Sequence, residues 1–338
     1  MAMDFIKEFL DPRVESRRTH LNGIQYNYLF GQPKGSLRAT VFLFHGWPDL
    51  SIGWRNQIPM LLDMGFLVVA PDMMGYGQTE APHVPPESIA FYSFRRIADD
   101  VKELARQLGV SRVILGGHDW GGAIVYRIAL WLPELVTHIF AVCTPYMAPS
   151  KSYVSLEEMV KSGRVPNFGY QLQLASSHLE EAIQSRGQIR QLLNALYGGA
   201  TSNGLPGFDV KTGVQLDRLP QLKHTKLMGE RLLDFYADQY AKNGIHGTLN
   251  WYRNREQNFK DELRLTNTTI RVPVLFIAAT KDEALPPSMS RAMDKLIPHL
   301  TRKTVDTHHW ALWEQPEEVN QIIREWLEET TTQQKSHL

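Results

Sequence analysis

A sharp strand-to-helix turn within residues 113–130 constrains the fold more than any other feature of the sequence. An apolar run at 113–115 predicts a buried strand, residues 116–122 form a glycine-rich turn, and a helical run follows. Asp119 lies at the centre of the frame Gly-x-Asp-x-Gly, which is typical of a turn that exposes a nucleophile above a strand end. An aspartate there could otherwise cap a helix, but the glycine frame favours the nucleophile.

The type of nucleophile narrows the chemistry. A serine at such a turn suits acyl transfer, whereas a carboxylate can displace a leaving group at saturated carbon and remain as an alkyl ester of the enzyme. An ordinary aspartate has a pKa of about 3.9 and is therefore ionised near neutral pH. The sequence indicates substitution at carbon through a covalent intermediate on Asp119.

Strand-like and helix-like segments alternate on both sides of this turn. Because parallel strands joined by helices give such a pattern, the expected fold class is α/β, with a mostly parallel central sheet and helices on both faces. In chain order, the predicted elements are strand 40–44, helix 54–64, strand 66–70, helix 94–108, strand 112–115, helix 121–130, strand 137–142, strand 272–279, helix 288–296, strand 303–305 and helix 317–328.

The alternation is interrupted between residues 146 and 266. This segment shows helical stretches at 179–186, 188–197 and 228–242 and no convincing buried strand. The simplest interpretation is one α/β domain with an inserted helical cap, followed by a polar tail. The expected organisation is a core at 1–145 and 267–330, a cap (lid) at 146–266 and a disordered tail at 331–338.

Composition excludes several classes of partner. The chain has 36 basic and 36 acidic residues and a formal net charge of zero, so it offers no electrostatic footprint for nucleic acid or an anionic membrane. No apolar run approaches the roughly 20 residues of a membrane span. The start of the chain also lacks the apolar core of a signal peptide. We expect neither a nucleic-acid partner nor a membrane span.

The single cysteine bears on the compartment. Cys143 cannot form an internal disulfide, and it lies in an apolar run, so we expect a buried structural thiol and a cytoplasmic location. The last three residues, Ser336-His337-Leu338, resemble the peroxisomal address Ser-Lys-Leu. A solvated tail without a targeting role is the alternative for this tripeptide.

Two residues after later strands complete a set of nucleophile, acid and base. Asp282 follows a buried apolar run, and His309 follows the strand at 303–305, which gives the chain order nucleophile, acid, histidine. Asp282 could alternatively start a turn. His308 competes with His309, which is favoured because it directly precedes Trp310 and the last helix.

An oxyanion hole is expected from two main-chain amides. The turn His45-Gly46-Trp47-Pro48 follows the first buried strand, where an N–H group commonly joins the N–H of the residue after the nucleophile. Those donors would be the amides of Trp47 and Trp120. The alternative is an ordinary Trp-Pro turn.

Together these motifs resemble the α/β-hydrolase-fold epoxide hydrolases. The core match covers about 38–145 and 270–328, and two segments of the cap match as well. The motifs are His45-Gly46-Trp47-Pro48, Gly75-Tyr76-Gly77-Gln78-Thr79, Gly117-His118-Asp119-Trp120-Gly121, Lys281-Asp282, His309-Trp310, Phe168-Gly169-Tyr170-Gln171 and Leu249-Asn250-Trp251-Tyr252-Arg253.

The resemblance assigns roles to residues of the cap. It implies that Tyr170 and Tyr252 act on the epoxide oxygen. We expect the walls of the substrate pocket to include four aromatic residues, Trp47, Trp120, Phe168 and Trp251, which suggests an apolar epoxide. Opening an epoxide leaves an alkoxide whose conjugate acid is nearly as weak as water, with a pKa of about 15.7. Tyrosine hydroxyls, with a pKa of about 10, can donate hydrogen bonds or a proton to that oxygen.

The implied activity is hydrolysis of epoxides to vicinal diols. His309 would activate the water that cleaves the Asp119 ester, and Asp282 would hold His309 in the required tautomer. The resemblance implies a small-molecule epoxide as the partner, no cofactor and no metal, a monomer or homodimer, and a cis Trp47–Pro48 bond. The chain is too short for the phosphatase domain that precedes this fold in some mammalian relatives.

Two other functions remain open from the sequence. Haloalkane and fluoroacetate dehalogenases use the same kind of aspartate, but they need halide donors and gain nothing from paired tyrosines. A non-catalytic ligand-binding relative would not need the complete set of Asp119, Asp282 and His309. The chain also departs from the family pattern at two positions. Met74 weakens one structural match outside the catalytic set, and Gln173 predicts a differently shaped pocket near Tyr170.

Overall fold

The structure, a computed structural model, describes residues 7–333. Two predictions, the Ser336–Leu338 targeting tripeptide and the end of the disordered tail, fall outside the described residues. The strands are β1 (Val14–Leu21), β2 (Ile24–Gly31), β3 (Ala39–Phe44), β4 (Phe66–Pro71), β5 (Val113–His118), β6 (Val136–Val142), β7 (Phe208–Asp209), β8 (Gly213–Val214), β9 (Val274–Ala279) and β10 (Leu300–Val305).

Helices connect these strands and fill the segment between β6 and β9. From residue 10 onward, the α-helices are α1 (Ile58–Asp63), α2 (Phe94–Gln107), α3 (Trp120–Trp131), α4 (Leu156–Lys161), α5 (Gly169–Ala175), α6 (His178–Ala182), α7 (Arg186–Leu196), α8 (Glu230–Tyr240), α9 (His246–Arg253), α10 (Arg255–Glu262), α11 (Ala311–Glu314) and α12 (Pro316–Gln333). Short 3-10 helices cover Ser51–Trp54, Ile89–Tyr92, Pro166–Phe168, Leu216–Gln221 and Pro287–Lys295.

An eight-stranded sheet has the order β1-β2-β4-β3-β5-β6-β9-β10. The hairpin β1–β2 and the β2–β4 pair are antiparallel, and all pairs from β4 to β10 are parallel. The expected α/β class with a mostly parallel sheet is therefore confirmed. Every residue of β4, β5 and β9 is buried, as expected for strands covered on both faces.

The register of the central strands places their carboxyl ends side by side. β5 pairs with β3 through Phe44 and Gly117, and with β6 through His118 and Val142. In an open parallel sheet, residues just beyond these ends share one crevice. The turn after β5 and the segments after β3 and β6 therefore contribute side chains to the same crevice, at the carboxyl ends of the strands.

The contacts divide the chain into two compact units. Within the described residues, the first unit, called the core unit, comprises 7–72, Phe94–Pro149 and 265–333, and the second, called the cap unit, comprises Met73–Ser93 and Ser150–Arg264. Residues 73–93 belong to the cap unit, although the sequence was interpreted as core there. Helix α9 explains this: the indole N–H of Trp251 donates to Met74 O (3.0 Å), and Asn254 Nδ2 donates to Tyr92 O.

Local chemistry shifts several predicted boundaries. The helix expected at 54–64 is a 3-10 turn followed by α1, which has a proline in its first turn, where the missing N–H costs no hydrogen bond. The stretch 179–197 is divided before α7, because Ser185 and Gln188 form a capping box that starts a new helix. At the other end, α12 continues to Gln333.

The cap unit also contains a small hairpin that the sequence did not predict. β7 and β8 pair through Phe208 with Val214 and Asp209 with Gly213. The Gln173 amide completes it, since Nε2 donates to Val214 O (3.0 Å) and Oε1 accepts from Val214 N (2.7 Å). Gln173 thus stabilises the hairpin through two hydrogen bonds to the main chain of Val214.

None of the helices within residues 7–333 combines the length and the apolarity that a membrane crossing requires.

Candidate active site

Asp119 lies in the turn between β5 and α3, in a backbone conformation that side chains rarely adopt. Its φ is 54° and its ψ is −123°. Close packing of glycines makes the turn feasible: a Cβ on Gly121 would collide with the carbonyl oxygen of Phe44, and one on Gly46 with the Asp119 carboxylate. Strain of this kind at a nucleophile is a known feature of strand-to-helix turns.

The two oxygens of the Asp119 carboxylate have different environments. Oδ1 accepts a hydrogen bond from the Trp47 amide (2.7 Å), and Oδ2 lies 3.5 Å from Nε2 of His309. Trp120, the other expected oxyanion donor, is the first residue of α3. The Trp47–Pro48 bond is cis, as the resemblance implies.

Asp282 and His309 meet at the ends of β9 and β10. His309 Nδ1 donates to Asp282 Oδ2 (2.7 Å), and Asp282 Oδ1 accepts from the amides of Ala284 (2.9 Å) and Leu285 (2.8 Å). The Asp282 side chain is fully buried. Its hydrogen bonds fix which way the imidazole faces and leave Nε2 directed towards Asp119.

His308 has a different environment from its neighbour. Its side chain is 69% exposed, and its ring Nδ1 lies 3.1 Å from Glu314 Oε2. The structure therefore brings Asp119, Asp282 and His309 together and places His308 at the surface.

The charges of this cluster control its protonation. Burial opposes a charged imidazole, but the carboxylates of Asp282 and Asp119 outweigh burial and hold the pKa of His309 well above its usual range. Burial likewise disfavours the Asp119 carboxylate, yet its contacts with His309 and the Trp47 amide hold the pKa of Asp119 below its ordinary value. The pKa of Asp282 is lowered against burial by the charge of His309. The resting site is an ion pair flanked by a second carboxylate.

The predicted residues of the cap unit lie close to one another. The rings of Tyr170, in α5, and Tyr252, in α9, pack edge to face with centroids 6.2 Å apart, and both residues are buried. Phe168 ends the 3-10 turn before α5. Trp251 packs against Tyr76, with ring centroids 6.0 Å apart. The cap unit thus holds the rings of two tyrosines in direct contact.

Comparison with known proteins identifies the family. Residues 39–316 match the α/β hydrolase fold family. Epoxide hydrolase srdG of Neurospora crassa is 40% identical over 337 residues, which is 94% of this chain and 97% of that protein. The chain belongs to the α/β-hydrolase-fold epoxide hydrolase family. The expected resemblance is thereby confirmed.

Further relatives agree. Bifunctional epoxide hydrolase 2 of Sus scrofa is 38% identical over 86% of this chain, which spans 51% of the length of that relative. The crystal structure of epoxide hydrolase A from Mycobacterium thermoresistibile has a TM-score of 0.76 and 28% identity, and the match covers 93% of this chain and 98% of that one.

Two clusters among the described residues offer three potential metal-ligand atoms each. In the cap unit, His246 Nε2 accepts from Val84 N (3.0 Å), and its Nδ1 bonds to Glu180 Oε1 (2.7 Å). The His83 ring stacks on His246 with an interplanar angle of 4°. Both ring nitrogens of His246 are thus already engaged in hydrogen bonds. The second cluster is His118, Cys143 and His309.

Three residues around Asp119 and His309 were not predicted to have a role there. Thr144 Oγ1 donates to the carbonyl oxygen of Asp119 (2.7 Å), and both His118 and Cys143 contact the carbonyl oxygen of His309. Cys143 is buried, as expected. Of the three, only His118 could have been suspected from the sequence, because it directly precedes Asp119. A side chain that contacts a main-chain carbonyl does not require a partner of a particular residue type, so no sequence motif reveals the contact.

Proposed function

We propose that this protein converts epoxides and water to vicinal diols through a covalent ester on Asp119. One observation carries the proposal: the two oxygens of the Asp119 carboxylate are differentiated, with Oδ1 on the Trp47 amide and Oδ2 beside His309. In this proposal, Oδ1 becomes the carbonyl oxygen of the ester, and Oδ2 is the nucleophile. The family and the names of the relatives support the same activity.

In the first half-reaction, Asp119 Oδ2 attacks a ring carbon of the epoxide. A bond forms between Oδ2 and carbon, the carbon–oxygen bond of the ring breaks, and its electron pair moves to the epoxide oxygen. That oxygen takes a proton from Tyr170 or Tyr252, whose adjacent rings in the cap unit support a shared role as acid. The products are an alkyl ester of Asp119 and a tyrosinate.

In the second half-reaction, His309 removes a proton from water, and the hydroxide attacks the ester carbonyl carbon. The developing charge on Oδ1 is stabilised by the amides of Trp47 and Trp120. Collapse expels the alkoxide, which takes the proton from His309. The carboxylic acid left on Asp119 passes its proton to the tyrosinate. His309 regains from solvent the proton that it released after alkylation, so the resting enzyme is restored with no cofactor.

Ester formation prepares His309 for its role as a base. In the resting site, two carboxylates raise the pKa of His309. Alkylation converts Asp119 into a neutral ester and removes one of these charges, so the pKa of His309 falls. The imidazole then loses its proton more easily and can accept one from water. Asp282 remains to orient the ring and to stabilise the imidazolium that forms.

The substrate class is proposed to be an apolar epoxide, with Phe168 and Trp251 as pocket residues in the cap unit. Both are large, buried aromatic residues, and small-molecule sites are mostly lined by such side chains.

The direct test uses racemic styrene oxide and two variants, His309→Gln and Asp119→Asn. Wild type is expected to release the diol. His309→Gln should gain the mass of one epoxide and hardly release it, because the ester forms and no base activates water. Asp119→Asn should show neither adduct nor diol. Parallel assays with a haloalkane test the dehalogenase alternative, and halide release without diol formation would refute the proposal.

A further inference from the structure

Two buried side-chain donors converge on the main-chain carbonyl oxygen of His309. His118 Nε2 lies 2.8 Å from this oxygen, and Cys143 Sγ lies 3.3 Å from it. The mechanism above uses neither residue. Both lie in the core unit, and both are fully buried.

The sheet explains how the two donors reach one acceptor. His118 is the last residue of β5, directly before the nucleophile, and Cys143 directly follows β6. His118 pairs in register with Val142, the neighbour of Cys143. The two donors therefore lie side by side at the carboxyl ends of adjacent strands, where the segment after β10 brings His309.

The protonation states suit donation. Burial, with the nearby charge of His309, lowers the pKa of His118 to about 4, so its ring is neutral and carries one N–H. A carbonyl only accepts, so the hydrogen belongs on Nε2. The other nitrogen, Nδ1, is buried and has no hydrogen-bond partner within residues 7–333. Burial, with the charges of Asp282 and Asp119, raises the pKa of Cys143 well above its ordinary value and keeps the S–H.

The backbone of Cys143 points to a use for its side chain. Its φ is 68°, a left-handed conformation that glycine adopts without strain and other residues rarely adopt. Its N–H donates to Ile277 O (2.9 Å). A strained backbone conformation persists where surrounding contacts stabilise it. The contact of Cys143 Sγ with the His309 carbonyl oxygen is one such contact.

We propose that His118 and Cys143 position the His309 imidazole for ester hydrolysis by holding its main-chain carbonyl, an arrangement we call the carbonyl clamp. The inference rests on the proposed function. Before alkylation, the imidazole is held from both sides, by Asp282 and by the Asp119 carboxylate. The ester removes the second charge when the ring must stay aimed at water. The carbonyl clamp is present in both half-reactions, but only ester hydrolysis uses His309 as a base. Loss of the clamp should therefore slow ester hydrolysis and leave the alkylation rate unchanged.

The test compares variants that remove a donor with variants that keep one. His118→Leu and Cys143→Ala remove a donor, whereas His118→Gln and Cys143→Ser keep an N–H or O–H at that place. The matched control is His138→Leu, because His138 is also a buried histidine of the core unit but packs against Trp326. Cys143→Ala, the smaller change, carries the test if His118→Leu does not fold.

Styrene oxide is the probe, and two quantities are measured for each variant. Rapid quenching with intact-protein mass measurement gives the alkylation rate and the fraction of sites that carry the ester during turnover. Diol formation gives the overall rate. Loss of one hydrogen bond should slow ester hydrolysis about 3- to 10-fold at an unchanged alkylation rate. The ester fraction should therefore rise in both donor-removing variants and return towards wild type in the conservative ones.

A merely structural role predicts another pattern, in which the amount of active enzyme falls and the ester fraction stays as in wild type and in His138→Leu. That result would overturn the carbonyl clamp alone, provided that wild type forms both ester and diol. If wild type forms neither, the proposed function fails and the clamp with it. Activity that is lost on treatment with EDTA and restored by Zn²⁺ would assign His118 and Cys143 as metal ligands and overturn their role as donors.

Discussion

At the scale of single residues, the distinguishing property of the site is that one imidazole lies between two carboxylates. Asp282 Oδ2 is 2.7 Å from Nδ1 of His309, and Asp119 Oδ2 is 3.5 Å from Nε2. The two acids differ in burial, since the Asp282 side chain is fully buried and that of Asp119 is 12% exposed. This difference suits the proposed mechanism, in which the more accessible Asp119 reacts with the substrate and the buried Asp282 orients His309.

The two steps should respond differently to pH. Alkylation needs ionised Asp119, whose pKa lies below its ordinary value, so it should persist as pH falls. Ester hydrolysis needs neutral His309 and should be lost as pH falls through the pKa of His309 in the ester. As the solution is changed from mildly alkaline to mildly acidic, the ester should therefore accumulate while alkylation stays constant.

Quenched-flow mass measurement over this range checks the prediction. An ester fraction that does not change with pH, or that falls as the solution becomes more acidic, would contradict the role of His309 as the base for hydrolysis. His309→Gln serves as the reference in which the ester is expected to accumulate at every pH.

The cap tyrosines should act on the first step only. We expect Tyr170→Phe and Tyr252→Phe each to slow alkylation by about 10- to 100-fold, because the other phenol remains as an acid. The double variant should lose about 10⁴-fold. Tyr153→Phe is the control, since Tyr153 is an exposed tyrosine of the same unit. Single-turnover alkylation rates decide, and an unchanged rate in the double variant would favour the dehalogenase alternative.

At this scale, the sequence predicted the residues that follow strand ends. Asp119, Asp282 and His309 could be placed because parallel strands direct their carboxyl ends to one edge of the sheet. His118, Cys143 and Thr144 act on carbonyl oxygens of other residues, and no spacing in the sequence reports a main-chain acceptor. Choosing His309 over His308 depended on the residues that follow them.

At the scale of elements, the turn around Asp119 depends on close backbone approach. Gly46→Ala should abolish or greatly reduce turnover, because the new Cβ would collide with the Asp119 carboxylate and displace it from the Trp47 amide. Gly229→Ala is the control, since Gly229 has open space around its Cα and an ordinary negative φ. The kcat of both variants is measured beside their thermal melting. Wild-type turnover in Gly46→Ala would contradict the tight packing of this turn.

Helix α7 offers an element-scale test that leaves the chemistry alone. Ser185 Oγ accepts from the Gln188 amide (3.3 Å), and the two residues form a capping box. Ser185→Ala should lower the free energy of unfolding by about 1 kcal/mol, with kcat unchanged. Ser185→Thr should retain most of the stability, because threonine also caps. Urea unfolding measures both, and equal stability of Ser185→Ala and wild type would contradict the capping role.

At this scale, the sequence predicted the strands that an apolar run marks. β3 to β6 and β9 each contain an apolar run of at least three residues and were found. The hairpin β1–β2 was missed. β1 lies at the edge of the sheet, carries several charged residues and is mostly not buried, so its sequence does not show the apolar pattern of a strand. The stretch Pro287–Lys295 is a 3-10 helix where an α-helix was expected, a difference that periodicity over so few residues does not resolve.

At the scale of the whole molecule, the residues to which the proposed mechanism gives a role come from both units. Asp119, Asp282 and His309 belong to the core unit, and Tyr170 and Tyr252 belong to the cap unit. The division into core and cap was predicted from the interrupted alternation, but residues 73–93 join the cap unit through contacts such as Trp251 with Met74. Such long-range contacts are set by tertiary packing, and local composition does not encode them.

The covalent ester is the central claim, and a single turnover in ¹⁸O-water tests it most directly. Excess enzyme is mixed with limiting styrene oxide, and Asp119 is then isolated in a peptide. If water attacks the ester carbonyl, one ¹⁸O enters the Asp119 carboxylate, and the diol receives its new oxygen from unlabelled Asp119. Label in the diol with none in Asp119 would show direct attack by water on the epoxide and would contradict the account.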